Sequence, residues 1–152
     1  MALALMRTVF AATATLAFSA FAFAQPTVPA QVTSVVTGGH WQRGAESGWY
    51  RAVIVQDGWE HLWSRLFVEW IAEPKSRDED QKVIARVEPT LPFAQGTHVL
   101  EAHSIRGQRG RAFLTVTAQS NNRVEAEPHQ VRLELGAPGQ VKVLHQGSGN
   151  AR

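Results

Sequence analysis

From residue 31 onward, apolar and polar positions alternate in short runs separated by Gly, Pro and Asn, the period of strands with one buried and one wet face. The last runs are the clearest. Val131, Leu133 and Leu135 alternate with Arg132 and Glu134, and Val141 and Val143 flank Lys142. Between them, Gly136-Ala-Pro-Gly139 supplies a Pro and a Gly for the central positions of a type II turn, where Pro presets φ and Gly accepts φ > 0. A C-terminal antiparallel hairpin follows. Arg111–Ala118 places Ala112, Leu114 and Val116 on one face and Phe113, Thr115 and Thr117 on the other. Further strands are predicted over Gln31–Thr37, Trp49–Gln56, Gln81–Glu88 and Thr97–Ile105. The first ends at Gly38-Gly39, and the third stops at Pro89 and Pro92. Asn121-Asn122 is a second hairpin turn, because Asn tolerates the left-handed region.

Residues 57–73 carry two patterns at once. Trp59, Leu62, Trp63, Leu66, Phe67, Trp70 and Ile71 form a stripe at helical spacing, and Asp57 with Glu60 resembles a capping box. Arg65–Ile71, however, is rich in strand-forming residues and would pair with 81–88 through the charged loop 73–80. As a strand it is apolar on both faces and needs cover on both sides. The reading adopted is a strand from about 65, after a short helix near 57–63.

Seven to nine strands with Gly/Pro turns imply a mainly β fold, a small antiparallel, immunoglobulin-like β-sandwich. The alternative is an α+β sheet with one helix over 57–73 packed on it. No internal repeat suggests a solenoid or propeller.

The first 24 residues read differently. Arg7 is followed by an uncharged stretch rich in Ala, Leu and Phe that closes on Ala22-Phe23-Ala24. A basic start, a short apolar run and small residues at −3 and −1 are the pattern of a cleavable secretory signal, with cleavage expected after Ala24. The stretch is shorter than the ~20 residues that span a bilayer, so no stable membrane anchor is expected after cleavage. The expected organisation is a signal at 1–24, an extended leader at 25–30, one β-rich domain at 31–146 and a disordered tail at 147–152. The expected location is the periplasm or the medium.

Composition sharpens this picture. The chain has 152 residues, 44% hydrophobic, with a net charge of +2 and no cysteine. Removing 1–24 takes away one Arg and no acid, leaving 14 basic against 13 acidic side chains, a net charge of +1. That is too weak for a nucleic-acid partner, whatever the pI near 9.5 suggests. An exported chain without cysteine holds together by packing alone.

Catalytic signatures are missing: no nucleophile elbow, no His-Glu-x-x-His, no Walker loop and no dinucleotide fingerprint. Six histidines are scattered without a close pair, and His98 and His103, five apart, face opposite sides of a strand. No metal and no cofactor is expected. The acidic run Asp78-Glu-Asp80 lacks the alternate spacing of a calcium loop and reads as a solvated hairpin tip. Arg106-Gly-Gln-Arg-Gly-Arg111 is the basic cluster, a hairpin tip that also suits an anionic headgroup or phosphate.

Aromatic residues beside glycines are the more informative set: His40-Trp41 after Gly39, Trp49-Tyr50 after Gly48, and Trp59-Glu60-His61 after Gly58. Trp faces with polar neighbours hold glycans and cations, and Trp is also a core residue. His40, Trp41, Trp59, Glu60 and His61 are the candidate ligand-binding residues. The expected role is a binding or interaction module of a bacterial envelope, its partner an envelope protein or a cell-wall glycan. A hydrolase using Glu60, His61 or His40, and a structural accessory subunit, are the alternatives.

Overall fold

The computed structural model describes residues 29–108, 111–121 and 127–148. The segment expected to be a signal, most of the expected leader, Asn122 of the expected turn and residues 149–152 of the expected tail lie outside these residues. Eight strands form two four-stranded antiparallel sheets. Sheet A is β1 (Val32–Arg43), β2 (Glu46–Asp57), β3 (Trp63–Ala72) and β4 (Lys82–Val87), in that order. Sheet B is β5 (His98–Gln108), β6 (Arg111–Ser120), β7 (His129–Leu135) and β8 (Val141–Ser148). The fold is the small β-sandwich the pattern predicts. Its connectivity is two consecutive meanders, without the strand exchange between sheets that an immunoglobulin domain makes. Within each sheet every strand pairs antiparallel with its successor, and the chain changes sheet once, between β4 and β5. Pro89 and Pro92 lie in that connection, where they cannot donate to a continuing ladder.

The alternation places the core as expected. Tyr50, Ala52 and Ile54 of β2, Leu66, Val68 and Trp70 of β3, Ala112, Leu114, Val116 and Ala118 of β6, and Val131, Leu133 and Leu135 of β7 are buried in one cluster. The closing turn has the predicted geometry: Gln140 N donates to Ala137 O at 2.8 Å and Gly139 sits at φ 86°. Tyr50 and Trp70 meet edge to face with centroids 6.0 Å apart. Both donate to the Gly136 carbonyl, the phenol and the indole N–H each at 3.0 Å. Burial pushes the Tyr50 phenol pKa upward, so it stays a protonated donor.

Three expectations change. No helix forms over 57–63 or 57–73: β2 runs to Asp57, which pairs with Trp63, and a loop of residues 58–62 joins them. Gly58 at φ 95° makes that turn, and a Cβ there would meet the His61 carbonyl. The helical stripe arises because β3 is central to sheet A and covered on both faces. Ile71 is buried but stands outside the core cluster, and Glu69 is 5% exposed on the outer face. Arg51 Nε lies 2.6 Å and Arg86 Nε 3.6 Å from the Glu69 carboxylate. Arg86 and Arg65 also stack over Phe67, at 4.0 and 4.8 Å.

Second, Gly38-Gly39 does not end β1. It carries a bulge with Gly39 at φ 62°, and the strand continues to Arg43. Here β1 crosses β5 so closely that a Cβ on Gly38 would strike the Ile105 carbonyl. Third, β8 continues through Ser148, paired with His129, so the sheet extends past the boundary expected at residue 146.

Two substitutions test this packing. Gly48→Ala places a Cβ on the Ile71 carbonyl, a backbone clash expected to cost about 3 kcal/mol or more. Tyr50→Phe removes one donor while Trp70 still satisfies Gly136, so its expected cost is about 1 kcal/mol. Urea denaturation measures both, and equal losses would contradict this account.

Candidate functional site

The five residues singled out from the sequence do not come together. Trp41 is 3% exposed, and its indole N–H donates to the Trp49 carbonyl at 3.2 Å. It is a core residue. His40 beside it is exposed at a shallow cavity of about 330 Å³ lined by Trp41, Arg111, Glu134 and Gly136. Trp59, Glu60 and His61 are exposed in the loop at the other end of β2, and Trp59 is 94% exposed. Trp41 pairs with Gly48 near the start of β2, whereas the loop follows Asp57, a separation on the order of 30 Å at the rise of a strand. An acid–base pair joining His40 to Glu60 or His61 therefore has no geometric basis.

The 58–62 loop is tied to sheet B. Asn121 Nδ2 donates to the carbonyls of Leu62 and Gly96, each at 3.1 Å. Leu100 N donates to Ser64 Oγ at 3.1 Å. At this end of the sandwich His98 stacks on Phe93, centroids 4.2 Å apart, and its ring lies 6.2 Å from that of His129. Thr97 Oγ1 donates to Ala94 O, so its contact with His98 Nδ1 at 2.7 Å requires Nδ1–H as donor and the neutral tautomer protonated there. Among the described residues no group of three or more His, Cys, Asp or Glu is placed to hold a metal.

What the fold does assemble lies on the outer face of sheet B. The core-facing positions of β5, β6 and β7 are aliphatic, so the alternate positions form one polar surface. Ser104 pairs with Thr115, and Thr115 with Arg132, in one row across three strands. Arg106, Phe113, Glu134 and Lys142 form the neighbouring row across four. Between them opens a groove of about 710 Å³ lined by Ser104, Arg106, Phe113, Thr115, Gln130 and Arg132, within the range of ligand sites. Arg132 lies over the Phe113 ring at 4.2 Å, and Arg111 is held by Glu134 at 3.1 Å. Arg106 is exposed, and among the described residues no carboxylate pairs with it. The groove is thus basic, hydroxyl-bearing and open.

Sequence reasoning marked the basic loop 106–111 but not this groove. The outward residues of β6 and β7 were legible as a polar face, whereas their juxtaposition with β5 depends on register. The comparisons with known proteins returned no matching family model, no matching curated protein and no matching solved structure.

The His98 site carries a pH dependence. Desolvation by burial, and secondarily the neighbouring His129, hold the His98 pKa below the ordinary imidazole value. The folded state therefore favours neutral His98. The resulting stability is fully present above ~6.5 and is lost as pH falls through that value toward the depressed one. The midpoint of urea unfolding should fall across this window, and His98→Gln should flatten the fall. An unchanged slope in the variant would exclude His98 as its source.

Proposed function

We propose that this chain is an exported binding module of the bacterial envelope, and that its ligand lies in the groove on the outer face of sheet B. Export rests on the pattern of residues 1–24. Binding rests on one observation: a groove of about 710 Å³ whose lining converges two arginines, two hydroxyls and an amide around one phenyl ring. A few placed polar groups around apolar surface orient a ligand, and strands on a packed core hold them rigidly. The partner is an envelope glycan in preference to an envelope protein, because the groove is polar and concave. Among the described residues most large exposed apolar side chains lie elsewhere, Val35 on β1, Trp59 and Leu62 in the 58–62 loop, Val83 and Ile84 on β4, with Leu144 on β8 the one in sheet B and outside the groove lining.

A backbone-amide NMR titration with solubilised peptidoglycan fragments, lipopolysaccharide and neutral capsule-type oligosaccharides tests this reading. At least one member should shift resonances centred on Ser104, Arg106, Phe113, Thr115, Gln130 and Arg132. Shifts confined to the 58–62 loop, or none with any member, would reject the groove. Trp59→Ala should change stability by no more than about 0.5 kcal/mol and leave the groove shifts intact.

A further inference from the structure

Resting on the reading of this face as the binding face, we propose that the groove recognises an anionic sugar, a pyranose bearing a carboxylate or phosphate, within a glycan chain laid across β5, β6 and β7. The charge argument comes first. Arg106 and Arg132 both line the groove, and Lys142 extends the Arg106 row beyond Glu134. The single acid in that row, Glu134, is already engaged by Arg111 at 3.1 Å. Glu101 stands in the next outward row, that of Thr117 and Gln130. On this face Arg106, Arg111, Arg132 and Lys142 thus stand against two acids, and the local surface is positive although the chain as a whole is nearly neutral. Such a patch attracts an anion locally without drawing polyanions to the entire molecule.

The remaining lining fits a sugar. Phe113 is the apolar element at the centre, and Arg132, stacked over its ring at 4.2 Å, is held in place before any ligand arrives and presents a flat guanidinium to the sugar. Ser104, Thr115 and Gln130 supply donors and acceptors for ring hydroxyls. Arg106 directly opposes Phe113 across the β5–β6 pair, so its planar fork meets an oxyanion on a ring seated beside the Phe113–Arg132 stack. The groove is a surface feature lined in part by exposed residues, Arg106, Gln130 and Arg132. A ligand there keeps one side in water, so affinity must accumulate over several units of a chain.

The test is isothermal titration of the protein with four probes: oligogalacturonate for the carboxylate, a phosphorylated oligosaccharide for the phosphate, maltohexaose as the neutral arm, and oligothymidylate as a polyanion without a pyranose. The expected result is binding of one or both anionic arms, weakening as salt is raised, with maltohexaose much weaker. Whichever arm binds identifies the anionic group. Arg106→Ala should weaken that binding about tenfold, and Arg106→Lys should recover only part of it because an ammonium lacks the fork. Arg106 is exposed, so both variants should keep the urea midpoint of the parent.

Maltohexaose binding as tightly as the anionic arms at the same groove resonances, with Arg106→Ala silent, would overturn the anionic-sugar assignment and leave the binding module standing. Equal, salt-sensitive binding of oligothymidylate would overturn it in favour of general polyanion binding. Absence of groove shifts with every probe and with the envelope panel would remove the binding reading itself.

Discussion

One carbonyl oxygen joins the halves of this molecule. Gly136, at the start of the β7–β8 turn in sheet B, accepts both the Tyr50 phenol and the Trp70 indole N–H of sheet A. Each ring fills the core, and each carries one polar atom that has to be satisfied once buried. A carbonyl at a turn has lone pairs free because the ladder ends there. The aromatic packing and the turn thus constrain each other: the turn must lie over sheet A, and the rings must point toward the end of sheet B. At a different corner, Gly38 and Gly39 bring β1 against Ile105 of β5 where no side chain would fit. Together these contacts set how one meander lies upon the other.

β3 illustrates what a central strand demands. Its inner positions meet the sandwich core, while its outer positions are covered by neighbouring side chains rather than a further layer. Glu69 is tolerable there because guanidinium groups from β2 and β4 flank it on both sides. A carboxylate nearly removed from water would otherwise be costly. The same guanidinium of Arg86 covers Phe67, so the charged row also shields part of an apolar face.

Sheet B treats its outer face differently. Ser104, Thr115 and Gln130 replace the valines and aromatics found on the outside of sheet A, and Arg106 and Arg132 flank a lone phenyl ring. The result is a wet, basic surface on a rigid frame, and its groove is lined by none of the five candidate residues that stand out when the chain is read as a string. Those residues stand out by type. Trp41 and Trp70 are buried because a small sandwich needs large side chains, and Trp59 is exposed because Gly58 turns the chain away from the core.

Alternation and turn residues determined much of the architecture: the strands themselves, the C-terminal hairpin, core residues such as Leu114, Val116, Leu133 and Leu135, and the Pro138-Gly139 turn. These depend on neighbours one or two residues away, which is the range over which a period of two or a required φ acts. The ambiguity at 57–73 had the same origin, since a strand buried on both faces loses its alternation and acquires an accidental helical stripe. Only the tertiary structure decided that Gly38-Gly39 is a crossing rather than a turn, and that His40 and Trp41 stand far from Trp59, Glu60 and His61. It alone placed Ser104, Thr115 and Arg132 in one row. Proximity across sheets and strands is set by register and by the way two layers pack, and neither is encoded in the spacing along the chain.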